Sequence, residues 1–171
     1  MRGSEGRPAN PVWALILLAT TAAAEPFGDS VPMQQRASGN YYVAGTLHGG
    51  VRTDFMVDTG SGYVSLSPAV FERLQATAGA TFLRYIVGSM ANGQTVRVPV
   101  YRIPTLELSP ECVLQDVEIT VMPGSHRNIL GLSALRRVSP FALDLQPARL
   151  MLSDCTPAAP PLVTARSPGT R

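Results

Sequence analysis

The chain has 171 residues, 45% of them apolar, and 14 basic against 12 acidic side chains give a net charge of +2. That length suits one domain of ordinary size, and the apolar share excludes a wholly disordered chain. Every basic residue is an arginine, and none of them cluster as a nucleic-acid partner would require, so nucleic-acid binding is not expected.

Arg2 and Arg7 precede the apolar run Val12 to Ala24, which ends in three alanines ahead of Glu25-Pro26. A charged start, a short apolar stretch and a small-residue cleavage site make residues 1–24 an expected secretory signal peptide. The run is shorter than the ~20 residues of a comfortable bilayer span. Export to the periplasm or the exterior is therefore expected, the alternative being an uncleaved membrane anchor through residues 12–24. Loss of Arg2, Glu5 and Arg7 would leave 12 basic and 11 acidic residues, a nearly neutral mature chain.

Residues 25–38 are rich in Pro, Gly, Ser and Gln and predict a flexible leader. The folded domain is then expected over 39–155. Within it, Tyr41 to Leu47 and Val51 to Val57 read as strands joined at His48-Gly49-Gly50, with Val51, Thr53, Phe55 and Val57 alternating against polar or exposed positions. Tyr63 to Ser67 reads as a short strand, and Ser67 with Pro68 opens a helix to Leu74. Phe82 to Val87 and Thr95 to Ile103 flank an Asn92-Gly93 hairpin. Val113 to Met122 alternates as another strand, with Asp116 at its start. The apolar Asn128 to Leu132 segment enters a short helix, Ser133 to Arg137, with Ser133 as its cap. Phe141 to Leu145 and Arg149 to Leu152 form a last hairpin, and 156–171 is expected as a disordered tail. Many short strands and one or two short helices predict an all-β fold, a small closed β-barrel.

Export also governs how Cys112 and Cys155, the only cysteines, are read. An oxidising compartment favours a disulfide, closing a loop of about 44 residues worth about 4 kcal/mol in the chain-entropy picture. The alternative is two buried thiols. Neither a CxxC motif nor a histidine cluster accompanies them, so no metal is expected. His48 and His126 sit in separate glycine-containing turns and are expected to be exposed.

The chemistry concentrates in Phe55-Met-Val-Asp-Thr-Gly-Ser-Gly62. An apolar strand is a costly place for a carboxylate unless hydrogen bonds compensate for its lost water. An ordinary polar turn would use the same residue types. The wider order decides between them: apolar strand, Asp58-Thr59-Gly60, an Ala91-Asn92-Gly93 hairpin about 30 residues later, and Ile129-Leu130-Gly131 about 70 residues after the aspartate. This order resembles the retropepsin-like aspartic peptidases, and within them the single-domain exported bacterial forms, over Tyr41 to Leu152.

The resemblance implies a retropepsin-type barrel, a peptide or protein substrate and no cofactor. It implies that Asp58 is catalytic and that Thr59 ties two active-site loops together. Gly60 would give the carboxylate a backbone N–H, and Ser61 a hydroxyl for its outer oxygen. Met90, Ala91, Asn92, Gly93 and Gln94 correspond to the flap over the substrate. Ile129, Leu130 and Gly131 correspond to the apolar segment behind the active loop. Gly62 and Tyr63 acquire no role. Aspartic peptidases use two carboxylates sharing one proton, and like charges about 3 Å apart cannot both ionise. Asp54, Asp116 and Asp144 lack the Asp-Thr-Gly setting, so the second carboxylate is expected from a second copy in a homodimer. The alternative function is an inactive exported domain of the same fold that binds peptides without cutting them.

Overall fold

The computed structural model describes residues 27–89 and 93–157. The expected signal peptide and most of the expected C-terminal tail lie outside the described residues. The described elements are β1 (Asp29–Gln35), β2 (Tyr41–Leu47), β3 (Val51–Val57), β4 (Val64–Leu66), α1 (Pro68–Gln75), β5 (Thr81–Ser89), β6 (Thr95–Ser109), β7 (Cys112–Val121), β8 (Asn128–Leu130), α2 (Leu132–Leu135), β9 (Phe141–Leu145) and β10 (Ala148–Leu152).

Local sequence accounts for several of these. Gly49 and Gly50 take φ of +74° and +77°, a left-handed backbone that only glycine adopts freely, and return β2 into β3. Along β3, Val51 and Phe55 are buried while Arg52 and Asp54 face solvent, the two-residue alternation of a half-buried strand. The Ser67 hydroxyl accepts from the Val70 amide at 3.4 Å, and α1 buries Val70, Phe71 and Leu74. The paired β5 and β6 meet through Ser89 and Thr95 around the expected hairpin.

The strands β6, β7, β4, β8, β3 and β2 are neighbours in that order, and β2 pairs back onto β6 through Thr46–Glu107 and Leu47–Leu106. The result is the expected closed barrel, six-stranded, filled by fully buried side chains that include Leu47, Phe55, Leu66, Ile103, Leu106 and Leu130. Closure depends on the length of β6. Its expected end at Ile103, before Pro104, is corrected: the strand continues to Ser109. Pro104 is exposed and has no ladder partner, and Asp116 opposite it adopts φ +49°, so the missing N–H costs no ladder bond. Asp116 accordingly lies inside β7 rather than at its start.

The flexible leader is also corrected. Within residues 25–38, Asp29 to Pro32 pair with β10, and Met33 to Gln35 pair with β2. Val31 and Met33 are buried at 4% and 6% exposure, so this segment is part of the core. Its first half is made a strand by β10, far along the chain, which composition does not display. The domain therefore begins near Asp29. A three-stranded layer, β1-β10-β9, flanks the barrel.

Cys112 and Cys155 form a disulfide, 43 residues apart with Cα atoms separated by 4.5 Å. The Val113 amide donates to the Thr156 carbonyl at 2.9 Å beside it, extending order to the first residue of the expected tail. Alkylation without reduction followed by mass spectrometry should recover a Cys112–Cys155 peptide, and two alkylated thiols would contradict the bridge. Replacing both cysteines by alanine should lower unfolding free energy by about 4 kcal/mol in the chain-entropy picture, read from denaturant titration.

Candidate active site

β3 carries the chain out of the core and into the Asp58 loop. It runs parallel to β8, with Phe55, Met56 and Val57 in register with Asn128, Ile129 and Leu130. The Asp58 amide continues that ladder by donating to the Leu130 carbonyl at 3.2 Å, and the Ser61 amide closes the turn on the Asp58 carbonyl at 3.3 Å. The half-buried carboxylate is held by its own loop: Gly60 N–H donates to Oδ1 at 2.9 Å, and Ser61 Oγ to Oδ2 at 3.0 Å. A methyl group on Gly60 would stand 3.2 Å from Oδ1, tight enough to disturb that oxygen. Thr59 is exposed at the tip, and its side chain makes no hydrogen bond among the described residues.

Gly131 explains the Ile129-Leu130-Gly131 segment. A Cβ there would collide with the Tyr63 carbonyl and lie 2.7 Å from the Ser61 carbonyl oxygen, both rigid backbone. With no side chain in the way, the Leu132 amide reaches Ser61 O at 2.8 Å and the Ser133 amide reaches Gly62 O at 3.0 Å. The two loops are thus stitched backbone to backbone. Gly131→Ala should cost at least about 2 kcal/mol, because overpacking against backbone cannot relax by a rotamer change; thermal unfolding of the purified variant measures it.

The expected cap role of Ser133 is corrected. The helix α2 starts at Leu132 with Gly131 as its N-terminal flank and no side-chain cap. Ser133 Oγ instead accepts from the Val64 amide at 2.8 Å and donates to the Glu118 carbonyl at 3.2 Å. Asn128, which sequence reading assigned only to an apolar segment, is buried and ties β3 to the start of α1. Its Oδ1 accepts from Ser67 N at 2.9 Å, and its Nδ2 donates to Thr53 Oγ1 at 2.7 Å and to Asp54 O at 3.3 Å. A polar residue opening an apolar run before Gly131 was the available signal.

The structure brings Asp58, Gly60, Ser61, Ile129, Leu130 and Gly131 together. Gly93, at φ +82°, and Gln94 lie between β5 and β6, while Met90, Ala91 and Asn92 of the expected flap lie outside the described residues. Other carboxylates are engaged elsewhere. Asp54 pairs with Arg36 at 2.5 Å, Asp144 accepts from the Gln146 amide, and Asp29 accepts from Ser109 Oγ and the Ser30 amide. Among the described residues, one gathering of metal-ligating types appears, Asp29 with Cys112 and Cys155, and its sulfurs are bonded to each other. His126 is exposed as expected, whereas His48 is half-buried beside Gly79. A hollow of about 640 Å³ lies over β2, β3 and the end of β6, and Asp58 is not among its lining residues.

Tyr63, Arg84 and Glu118 form a polar cluster that sequence reading missed. Arg84 donates from Nη1 and Nη2 to both Glu118 oxygens, at 3.0 and 2.6 Å, and from Nη2 to Tyr63 Oη at 3.3 Å. The hydrogen bond from Arg84 holds the Glu118 carboxyl below its usual range, against a smaller opposing effect of burial. Its contribution to stability is therefore full above the ordinary glutamate range and is lost as pH falls through the lowered value.

Comparison with known proteins follows the same lines. The family model described as "gag-polyprotein putative aspartyl protease" matches residues 43–137. No curated protein matches the sequence. Among 140 similar chains of solved structure is a retropepsin-like aspartic protease from Rickettsia conorii. It superposes with a TM-score of 0.53 at 16% identity, covering 73% of this chain and 90% of that one. The barrel is thus of the retropepsin type expected from the sequence.

Proposed function

The chain belongs to the gag-polyprotein aspartyl protease family, and on that premise we propose that it is an aspartic endopeptidase working as a homodimer. The observation that carries this reading is the Asp58 carboxylate, oriented by Gly60 N–H and Ser61 Oγ on a loop that is itself locked to Gly131 and α2. A loop this constrained presents one carboxylate in a fixed direction, which general acid–base chemistry needs. Across a two-fold axis two Asp58 side chains share a proton. One accepts a proton from water, whose oxygen bonds to the scissile carbonyl carbon, while the other protonates the carbonyl oxygen. The C–N bond of the tetrahedral intermediate then breaks and the amine leaves with a proton. Thr59, exposed and without a side-chain hydrogen bond among the described residues, would meet its counterpart across that axis.

A surface for the second copy is available at β9. It ends the β1-β10-β9 layer with its outer edge unpaired among the described residues, and it exposes Leu143 at 44% and Leu145 at 51%. An apolar, unpaired edge strand invites pairing with another chain. Antiparallel self-pairing centred on Leu143 would set Asp144 opposite Ala142 and avoid like charges face to face.

We also assign the protein to an oxidising compartment, periplasmic or external. The N-terminal signal pattern and the Cys112–Cys155 disulfide support this. The N-terminal residue of exported protein, expected at Glu25, tests it. The enzyme reading is tested by mapping cleavage of unfolded protein substrates with wild type beside Asp58→Asn. Retention of peptide binding without any cleavage by the wild type would favour the inactive peptide-binding alternative.

A further inference from the structure

The hydrogen bonds around Tyr63 close a ring. Ser133 Oγ accepts from Val64 N–H and donates to the Glu118 carbonyl, the Glu118 carboxylate takes both nitrogens of Arg84, and Arg84 donates to Tyr63 Oη, next to Val64 in the chain. The ring joins four separate parts: the exit of the Asp58 loop at Tyr63, the barrel strand β7 at Glu118, β5 at Arg84, and α2 at Ser133.

Two features of β5 give this ring its meaning. β5 is the other end strand of the sheet and pairs only with β6. It is also poorly buried, with Phe82, Tyr85 and Val87 exposed at 48%, 53% and 73%. Its side chains are held by tilted and edge-on contacts of Phe82 with Tyr85 and Tyr101 and by the fork of Arg84. Tyr63, meanwhile, follows Ser61 by two residues, and Ser61 Oγ holds the outer oxygen of Asp58. Arg84 is therefore the link between the strand beside the active loop and the loop that aims the carboxylate.

We propose that Arg84 is a positioning residue, which through Tyr63 and Glu118 fixes the separation of β5 from the Asp58 loop and so sets the width of the channel for an extended peptide. This rests on the endopeptidase reading, under which the substrate lies between those two elements. The fork suits arginine because a planar guanidinium serves a carboxylate with two parallel bonds and a phenol with the same Nη2, which a lysine cannot do. A purely stabilising role is a poor fit. The side chains of Arg84 and Glu118 are 44% and 32% exposed, and ion pairs so open to water add little to folding.

The test compares Arg84→Met, which keeps the length of the stem, with Tyr63→Phe, which cuts only the link to the loop. KM for a peptide substrate should rise roughly tenfold in Arg84→Met and about threefold in Tyr63→Phe, with kcat changed less than about twofold. The double variant should be no worse than Arg84→Met alone, because both changes break one chain of bonds. Melting temperature should stay nearly constant in all three. Amide hydrogen exchange provides a readout independent of catalysis: residues 81–89 and 63–64 should exchange faster in Arg84→Met. KM unchanged in both single variants, or exchange unchanged in Arg84→Met, overturns the proposal. A wild type that cleaves no peptide while exchange still accelerates overturns the endopeptidase reading and leaves the tie itself established.

Discussion

Replacing Asp58 by asparagine is expected to lower kcat/KM by roughly 10³-fold or more while leaving the fold intact, since proton transfer by a positioned group supplies that order of rate. Asparagine has the same shape. Its Oδ1 can still accept from Gly60 N–H, and its Nδ2 can meet Ser61 Oγ with the hydroxyl turned to accept, so both loop contacts that hold Asp58 survive in altered form. What is lost is the ability to take and return a proton. The measurement pairs a peptide-cleavage assay with circular dichroism and thermal unfolding of the same preparation. Cleavage at the wild-type rate would remove Asp58 from catalysis and with it the enzyme reading.

The second large effect is on assembly. If both carboxylates are Asp58, activity per chain must fall on dilution below the dimer dissociation constant, because a lone Asp58 has no partner to share its proton. Adding an equal amount of Asp58→Asn chain should then reduce the doubly competent dimers to roughly one quarter of the total by random pairing. Leu143→Arg places two guanidinium groups across the proposed axis at the β9 edge, and like charges in an interface are strongly unfavourable. The concentration for half-maximal activity should rise by roughly tenfold or more, with activity recovering at high concentration. Sedimentation over the same range ties activity to the dimer fraction. Flat activity per chain in a protein that sediments as a monomer would exclude the symmetric pair. A Leu143→Arg variant with an unshifted dilution curve would move the interface away from β9.

Features encoded within a few residues were legible in the sequence. The glycine pair that turns β2 into β3, the Ser67 cap of α1, and the Asp58-Thr59-Gly60-Ser61 loop with its two internal donors all rest on contacts between residues at most a few positions apart. Such contacts depend on backbone conformation that the residues themselves favour. The two cysteines were legible for another reason, since a pair allows one partner each. Gly131 was recognisable by its place after an apolar strand, although the collision that requires it is with Ser61 and Tyr63, some 70 residues earlier in the chain.

Tertiary structure alone decided the rest. β1 looks like a leader because its stabilising partners, β10 and β2, are supplied by the opposite end of the chain and by the barrel. β6 runs past Pro104 because Asp116, across from it, turns its backbone to φ +49° and the ladder resumes in register on either side, a compensation no single strand announces. Ser133 has the form of a helix cap, yet its hydroxyl is taken by Val64 and Glu118 once β4, β7 and α2 are packed together. Tyr63, Arg84 and Glu118 are separated by 21 and 34 residues and carry no common motif. Their meeting depends on strand register, which is fixed by the burial of alternate side chains across the whole barrel rather than by any local preference.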